Sequence, residues 1–242
     1  MKLLFFALLC FCSVRAAHAD LARDEIDAGY KSSDAEKPRA ALQHFDRALR
    51  LNPSSLEALY GRGQVRRETA DFDGSISDFS EILRRDPQFA EAWLERGKTW
   101  SEKTQWNKAI ADYSRAIRLK PERDLMIDAL VRRGMNRKAA GDLKEARRDM
   151  DAAIKLDPND AASWAGRALV RQASGDVTGA KADSDRAATL DPLYGQSLDA
   201  SRGWDARTLI LRGVLAIGAL ITILGGWSML RALIKATKEH GL

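Results

Sequence analysis

Between residues 22 and 192 the apolar, small and polar positions of the chain fall into columns that return at a nearly fixed interval. Pro53, Pro87, Pro121, Pro158 and Pro192 are separated by 34, 34, 37 and 34 residues. Counting back from each proline places Gly29, Gly63, Gly97, Gly134 and Ala168 in one column. Ala41, Ser75, Ala109, Ala146 and Ala180 form a second, and Ala48, Ile82, Ala116, Ala153 and Ala187 a third. Phe45, Phe79, Tyr113 and Met150 share a fourth, broken by Ser184. A period of this length predicts a repeat array rather than a single globular core.

Two antiparallel helices per interval account for the columns. Small residues in the first two let helix A and helix B approach closely where they cross. The third lets helix B meet the next helix A, and the bulky fourth fills the space between helices. Proline then stops helix B, with Asp86, Asp157 and Asp191 before it favouring the turn. On this reading Trp93 and Trp100 are wedges and Gly97 is clearance.

Repeat three carries Trp93, Gly97, Trp100, Ala109, Tyr113, Ala116 and Pro121. That spacing resembles the tetratricopeptide repeat family, whose pattern is W-x2-L-G-x2-Y, then A-x3-F, A and P. The resemblance implies an all-α, right-handed solenoid of five helix-turn-helix repeats over 22–55, 56–89, 90–123, 127–160 and 161–194. Arg62, Arg96, Arg133 and Arg167 stand where the family usually has leucine, a common variant. Asp124, Leu125 and Met126 have no counterpart elsewhere, so the array either splays between repeats three and four or absorbs them in a longer helix.

The resemblance also implies that the A helices line a concave face where peptides or partner helices bind. The positions one and five residues after the wedge column point there. The first row is Ile26, Tyr60, Leu94, Val131 and Ala165, and the second Tyr30, Gln64, Lys98, Met135 and Leu169. Such an apolar stripe marks either a partner site or packing between neighbouring A helices. Arg67, Glu68, Glu102 and Lys138 border it with mixed charge, which tunes specificity. Some family members clamp a carboxylate tail with Lys, Asn and Arg. The matching positions here are Ile26, Tyr30, Gly61, Glu91 and Glu95, so that ligand is expected to be repelled.

Both ends differ from the array. Residues 1–19 read as a secretory signal peptide: one lysine, the short apolar run Leu3 to Cys12, and Ala17-His18-Ala19 at the cut, with Arg15 an imperfect neighbour. Cys10 and Cys12 fall inside it, so the mature chain is expected to have no thiol and hence no disulfide. Leu9 and Phe11 precede them where lipid attachment wants a small residue. After a linker over 195–207 comes a transmembrane helix, 208–230, built on GVLAIGALITILGGWSML. Gly218, Thr222 and Gly226, four apart, form a stripe on which another membrane helix could pack, allowing self-association. Arg202, Arg207 and Arg212 on one side balance Arg231, Lys235 and Lys238 on the other, so flanking charge leaves orientation open. The signal peptide then directs the repeats outward and leaves the tail 231–242 in the cytoplasm.

The formal charge is +5, but from Asp20 to Pro192 there are 31 basic and 31 acidic residues, so no phosphate-tracking surface and no nucleic acid are expected. Outside the leader only His44 and His240 remain, which leaves nothing for a histidine triad or a zinc site. DFDGS at 71–75 has Ile76 where a calcium loop needs glycine. No catalytic residue, metal ligand or cofactor is assigned. The sequence therefore points to a non-enzymatic, membrane-anchored scaffold in a bacterial inner membrane, with periplasmic repeats binding membrane-associated proteins or peptides. Two alternatives keep the fold: a cytosol-facing tail-anchored receptor, and a regulatory subunit of a separate envelope enzyme.

Overall fold

A computed structural model describes residues 2–194, with side chains from residue 18 onward. The transmembrane span, the linker, the tail and the Gly218, Thr222, Gly226 stripe lie outside the described residues, as do the side chains of most of the leader. Among the described residues no helix is long and apolar enough to cross a membrane.

Ten helices and no strands are described: α1 (Lys2–Asp34), α2 (Pro38–Leu51), α3 (Leu56–Glu68), α4 (Phe72–Arg85), α5 (Ala90–Glu102), α6 (Trp106–Arg118), α7 (Arg123–Ala139), α8 (Leu143–Leu156), α9 (Ala161–Ala173) and α10 (Val177–Leu190). They pair as consecutive hairpins, with the end of α1 as helix A of the first. Each B helix also packs on the next A helix, and successive A helices touch side by side.

The columns explain the packing. All members of the second and third are buried. The fourth fills the clearance left by the first: a Cβ on Gly97 would lie 2.7 Å from Tyr113 Cε1, and one on Gly134 would lie 2.7 Å from Met150 Cε. Phe45 fits between Gly29 of its own hairpin and Gly61 of the next, and Met150 between Gly134 and Gly166. Trp93 touches the core clusters of repeats two and three, which makes it the wedge its column predicts.

The inter-helix turns are equally regular. Glu36, Ala70, Thr104, Gly141 and Gly175, one per repeat, take positive φ after helix A. The next residue caps helix B where it is aspartate: Asp71, Asp142 and Asp176 accept from the backbone N–H groups of Gly74, Glu145 and Gly179. This gives Asp71 a structural role in the DFDGS segment.

The three extra residues before repeat four become helix. α7 has 17 residues where α3, α5 and α9 have 13. Leu125 packs on the Leu94, Ala109 and Tyr113 cluster, and Met126 on that of Ile127, Leu130 and Ala153. The additional turn thus has apolar partners on both sides of the seam.

Candidate functional site

The arginine column proves structural. Arg62, Arg96, Arg133 and Arg167 each grip the aspartate sixteen residues on, Asp78, Asp112, Asp149 or Asp183, through Nε and Nη2 at 2.6–3.0 Å. The remaining Nη1 reaches back to helix B of the preceding repeat: to Asp46, Ser80, Ser114 and Asp151 at 2.8–3.1 Å. A planar fork that makes several directed bonds suits this task and an ammonium does not. The clip therefore joins three helices per repeat and fixes the orientation of the A helices. Nothing in the leucine consensus signals it; the recurring Arg-x15-Asp spacing does.

Between these clips, the concave face divides into three zones. At the N-terminal end the rings dominate. Tyr30 meets Phe45 edge-on at 5.2 Å, and Tyr60 lies edge-on to Phe79 and stacked on Phe89, both at 5.7 Å. Burial raises both phenols above the ordinary value, assisted by Glu57 at Tyr30 and by Glu95 and Glu91 at Tyr60, so both remain protonated donors at neutral pH.

The middle zone is a chain of alternating charge. Glu102 pairs with Arg67 at 2.7 Å, Arg67 lies 3.6 Å from Glu95, and Glu95 holds Lys98 at 2.7 Å. Lys98 then lies 3.3 Å from Asp128, which pairs with Arg132 at 2.6 Å. Six charges of alternating sign thus run across repeats two to four. Lys98 belongs to this chain and is not a lone groove cation.

The third zone is a cavity of about 490 Å³ lined by Val131, Met135, Ala165 and Leu169, with Tyr113, Asn136, Asp128 and Tyr194 among its other walls. Four groove residues expected from sequence, Val131, Met135, Ala165 and Leu169, converge here, whereas Tyr30, Tyr60, Gln64 and Lys98 line the other zones or stand half-buried apart from it. Ile26 and Leu94 are 4% and 2% exposed and belong to core clusters. The expected open stripe is narrower for a physical reason: successive A helices pack side by side, so much of the first row lies in their seam. Tyr113 is absent from the expected groove because its column reads as a packing position, and Asn136 because it falls in none of the columns read from the sequence.

The tetratricopeptide repeat profile matches residues 26–76 and 63–124, and a second profile of the same repeat matches 127–160. No curated protein matches. Among solved structures, the chain is similar to MamA from Desulfovibrio magneticus RS-1 at 18% identity and TM-score 0.64, over 72% of this chain and 96% of that one. YrrB, described as a repeat protein with an unusual peptide-binding site, is 24% identical at TM-score 0.59, over 74% of this chain and 90% of that one. PilF of Pseudomonas aeruginosa is 15% identical at TM-score 0.65, over 92% and 93%. At these identities the likeness establishes the fold. Profiles that together span more than half of the residues, on a stack of hairpins with the same registered columns, place the chain in the tetratricopeptide repeat family.

Proposed function

We propose that the chain is a membrane-anchored scaffold whose repeats face the periplasm and recruit or assemble envelope protein complexes through the concave face. The observation that carries the docking role is the apolar cavity beside the alternating charges, since apolar surface supplies affinity and paired charge at its border supplies selection. The apolar segment 213–230 and the leader-like segment 1–19 support the anchoring. Confinement near a bilayer raises the effective concentration of the docking face toward other membrane-bound proteins. The chain acts by holding proteins together; turnover of a substrate by the purified chain alone would refute that.

Two measurements test the reading. The mature protein should lack its first nineteen residues, and its repeats should be cut by protease added from the periplasmic side; an intact N-terminus with repeats cleaved only from the cytoplasm assigns the opposite topology. A photoreactive side chain at Leu169 should crosslink to a membrane protein in cells, and one at exposed Arg115 on α6 should not. Equal yields from both positions would remove the docking site from the concave face.

A further inference from the structure

Successive A helices touch side by side and successive B helices stand further apart, so α6 and α8 lie on the outside of the curve. Their outward surface is cationic. On α6 the exposed ionisable side chains are Lys108, Arg115 and Arg118, and its one acid, Asp112, is 5% exposed and held by Arg96. On α8, Lys144, Arg147 and Lys155 are exposed. The acids beside them are already engaged, Asp151 by Arg167 at 2.8 Å and Glu145 by Arg148, and Arg147 comes only within 4.0 Å of Asp151. Lys108 lies over the Trp100 ring at 4.3 Å. Arg115, Arg118, Lys144 and Lys155 have no acidic partner among the described residues.

Ordinary helix chemistry accounts for only part of this surface. Arg118 and Lys155 sit in last turns, where cations suit the helix dipole, but Lys108 and Lys144 sit in first turns, where the dipole opposes them. The paired alternative exists in this same chain on α4. There Glu81 and Arg84 occupy the registers of Arg115 and Arg118, and Arg84 grips Glu81 through two bonds of 2.8 Å. Arginine in place of that glutamate sets like charges one turn apart, which disfavours the helix on its own. The even charge count of the array hides the patch because acids gather elsewhere, as on α1, where Asp20, Asp24, Glu25 and Asp27 surround Arg23.

Resting on the membrane anchoring above, we propose that the outer face of α6 and α8 lies on anionic lipid headgroups, so that the concave face is turned away from the bilayer. Residues 195–212 separate Tyr194 from the apolar segment 213–230. Fully extended they span about 60 Å, which keeps the array within reach of the surface. Basic side chains near an anionic bilayer attract it weakly one by one, and the tether supplies the high effective concentration at which weak contacts hold. The chain carries its own bilayer partner in segment 213–230, which favours lipid over nucleic acid or an acidic protein as the occupant of this face.

The test uses the full-length chain with Cys10→Ala and Cys12→Ala, carrying a fluorophore at Ala111→Cys, an exposed position on α6. It is reconstituted in phosphatidylcholine vesicles with or without one-third phosphatidylglycerol, each holding a lipid with a nitroxide headgroup as quencher. Quenching should be at least about threefold greater in the anionic vesicles and should fall to the phosphatidylcholine level in 1 M salt, where charges act over only about 3 Å. A label at Glu68→Cys, exposed at the border of the concave face, should be quenched little in either. Arg115→Glu recreates the α4 pair with Arg118, so it should keep helix content and melting temperature while removing about half or more of the anionic quenching. Quenching indifferent to phosphatidylglycerol, as strong at residue 68 as at 111, or unchanged in Arg115→Glu would overturn the proposal. So would capture of a protein or nucleic acid in cells by a photoreactive side chain at residue 111, which gives the face to a different acidic partner. If alkaline carbonate extracts the chain from the vesicles, the anchoring falls and this inference with it. If the chain stays and the quenching is absent, only this inference falls.

Discussion

The four buried aspartates show how much one side chain contributes to this fold. Asp78, Asp149 and Asp183 each face two arginines, because Arg66, Arg137 and Arg171 join the column arginine at 2.7–2.8 Å. Asp112 has one, Arg96, since Trp100 occupies the second arginine's position. Burial accordingly raises the Asp112 carboxyl above its ordinary value, with Arg96 opposing. Removing one partner of a buried pair strands the other and costs about 3–5 kcal/mol. Asp149→Asn should reach that range in urea unfolding, and Asp112→Asn should cost clearly less; equal losses would refute the count of partners as the cause. The pH dependence has a definite sign. A folded-state value above the unfolded one means that ionised Asp112 carries a penalty absent from the unfolded chain. That penalty is relieved as pH falls from neutrality through the raised value toward the ordinary carboxylate range. The stability difference between wild type and Asp112→Asn should therefore move in favour of the wild type on acidification. This layer was poorly legible in the sequence. Arg62, Arg96, Arg133 and Arg167 were aligned correctly but read as stand-ins for leucine, because consensus columns report position and say nothing of a partner sixteen residues away.

Helices and turns were more legible, because each column repeats the same local physics five times. The repetition also exposes departures that single-repeat reading would miss. Thr104 adopts φ +56 at the register where Gly141 and Gly175 stand, and it is solvent-exposed. A β-branched residue in the left-handed region is strained by about 1–2 kcal/mol. Part of that is offset by the entropy glycine loses on folding. Thr104→Gly should then stabilise by about 0.5–1 kcal/mol, read as a higher urea midpoint at unchanged slope. The next residue, Gln105, makes no side-chain cap for α6, whereas Asp71, Asp142 and Asp176 cap their helices. Gln105→Asp should add about 0.5–2 kcal/mol, and no gain would mean that α6 begins by a different geometry. The insertion at 124–126 left its structural fate open in sequence, and in the structure the residues extend α7, where Leu125 and Met126 find apolar partners.

At the scale of the whole molecule, an array of hairpins is held by contacts between neighbours, so its cooperativity is only as strong as its weakest seam. Repeats three and four meet where the period lengthens from 34 to 37. The arginine clip survives there with its sequence reach stretched: Arg62, Arg96 and Arg167 reach back sixteen residues, while Arg133 reaches back nineteen to Ser114 at 3.1 Å. The added turn is thus accommodated without losing the bond between hairpins. The division of the concave face follows from the same stacking. Its rows could be drawn from the period, but their split into rings, paired charges and cavity depends on which A helices press together, and that is a tertiary property. Arg133→Met should remove the bond to Ser114 across this seam and the bidentate hold on Asp149 within repeat four, while leaving Asp149 its bond to Arg137 at 2.7 Å. The hairpins on either side keep their own cores, so the expected result is a loss of cooperativity more than of helix. Urea unfolding should broaden to a lower apparent slope or separate into two steps, with amides of α7–α10 exchanging at different free energies from those of α2–α6. Arg148→Ala, which removes an exposed pair with Glu145 on α8, should leave the curve within about 0.5 kcal/mol of wild type. A single transition of unchanged slope in Arg133→Met would show that apolar contact across the seam, through Leu125 and Met126, suffices to couple the two parts without the clip.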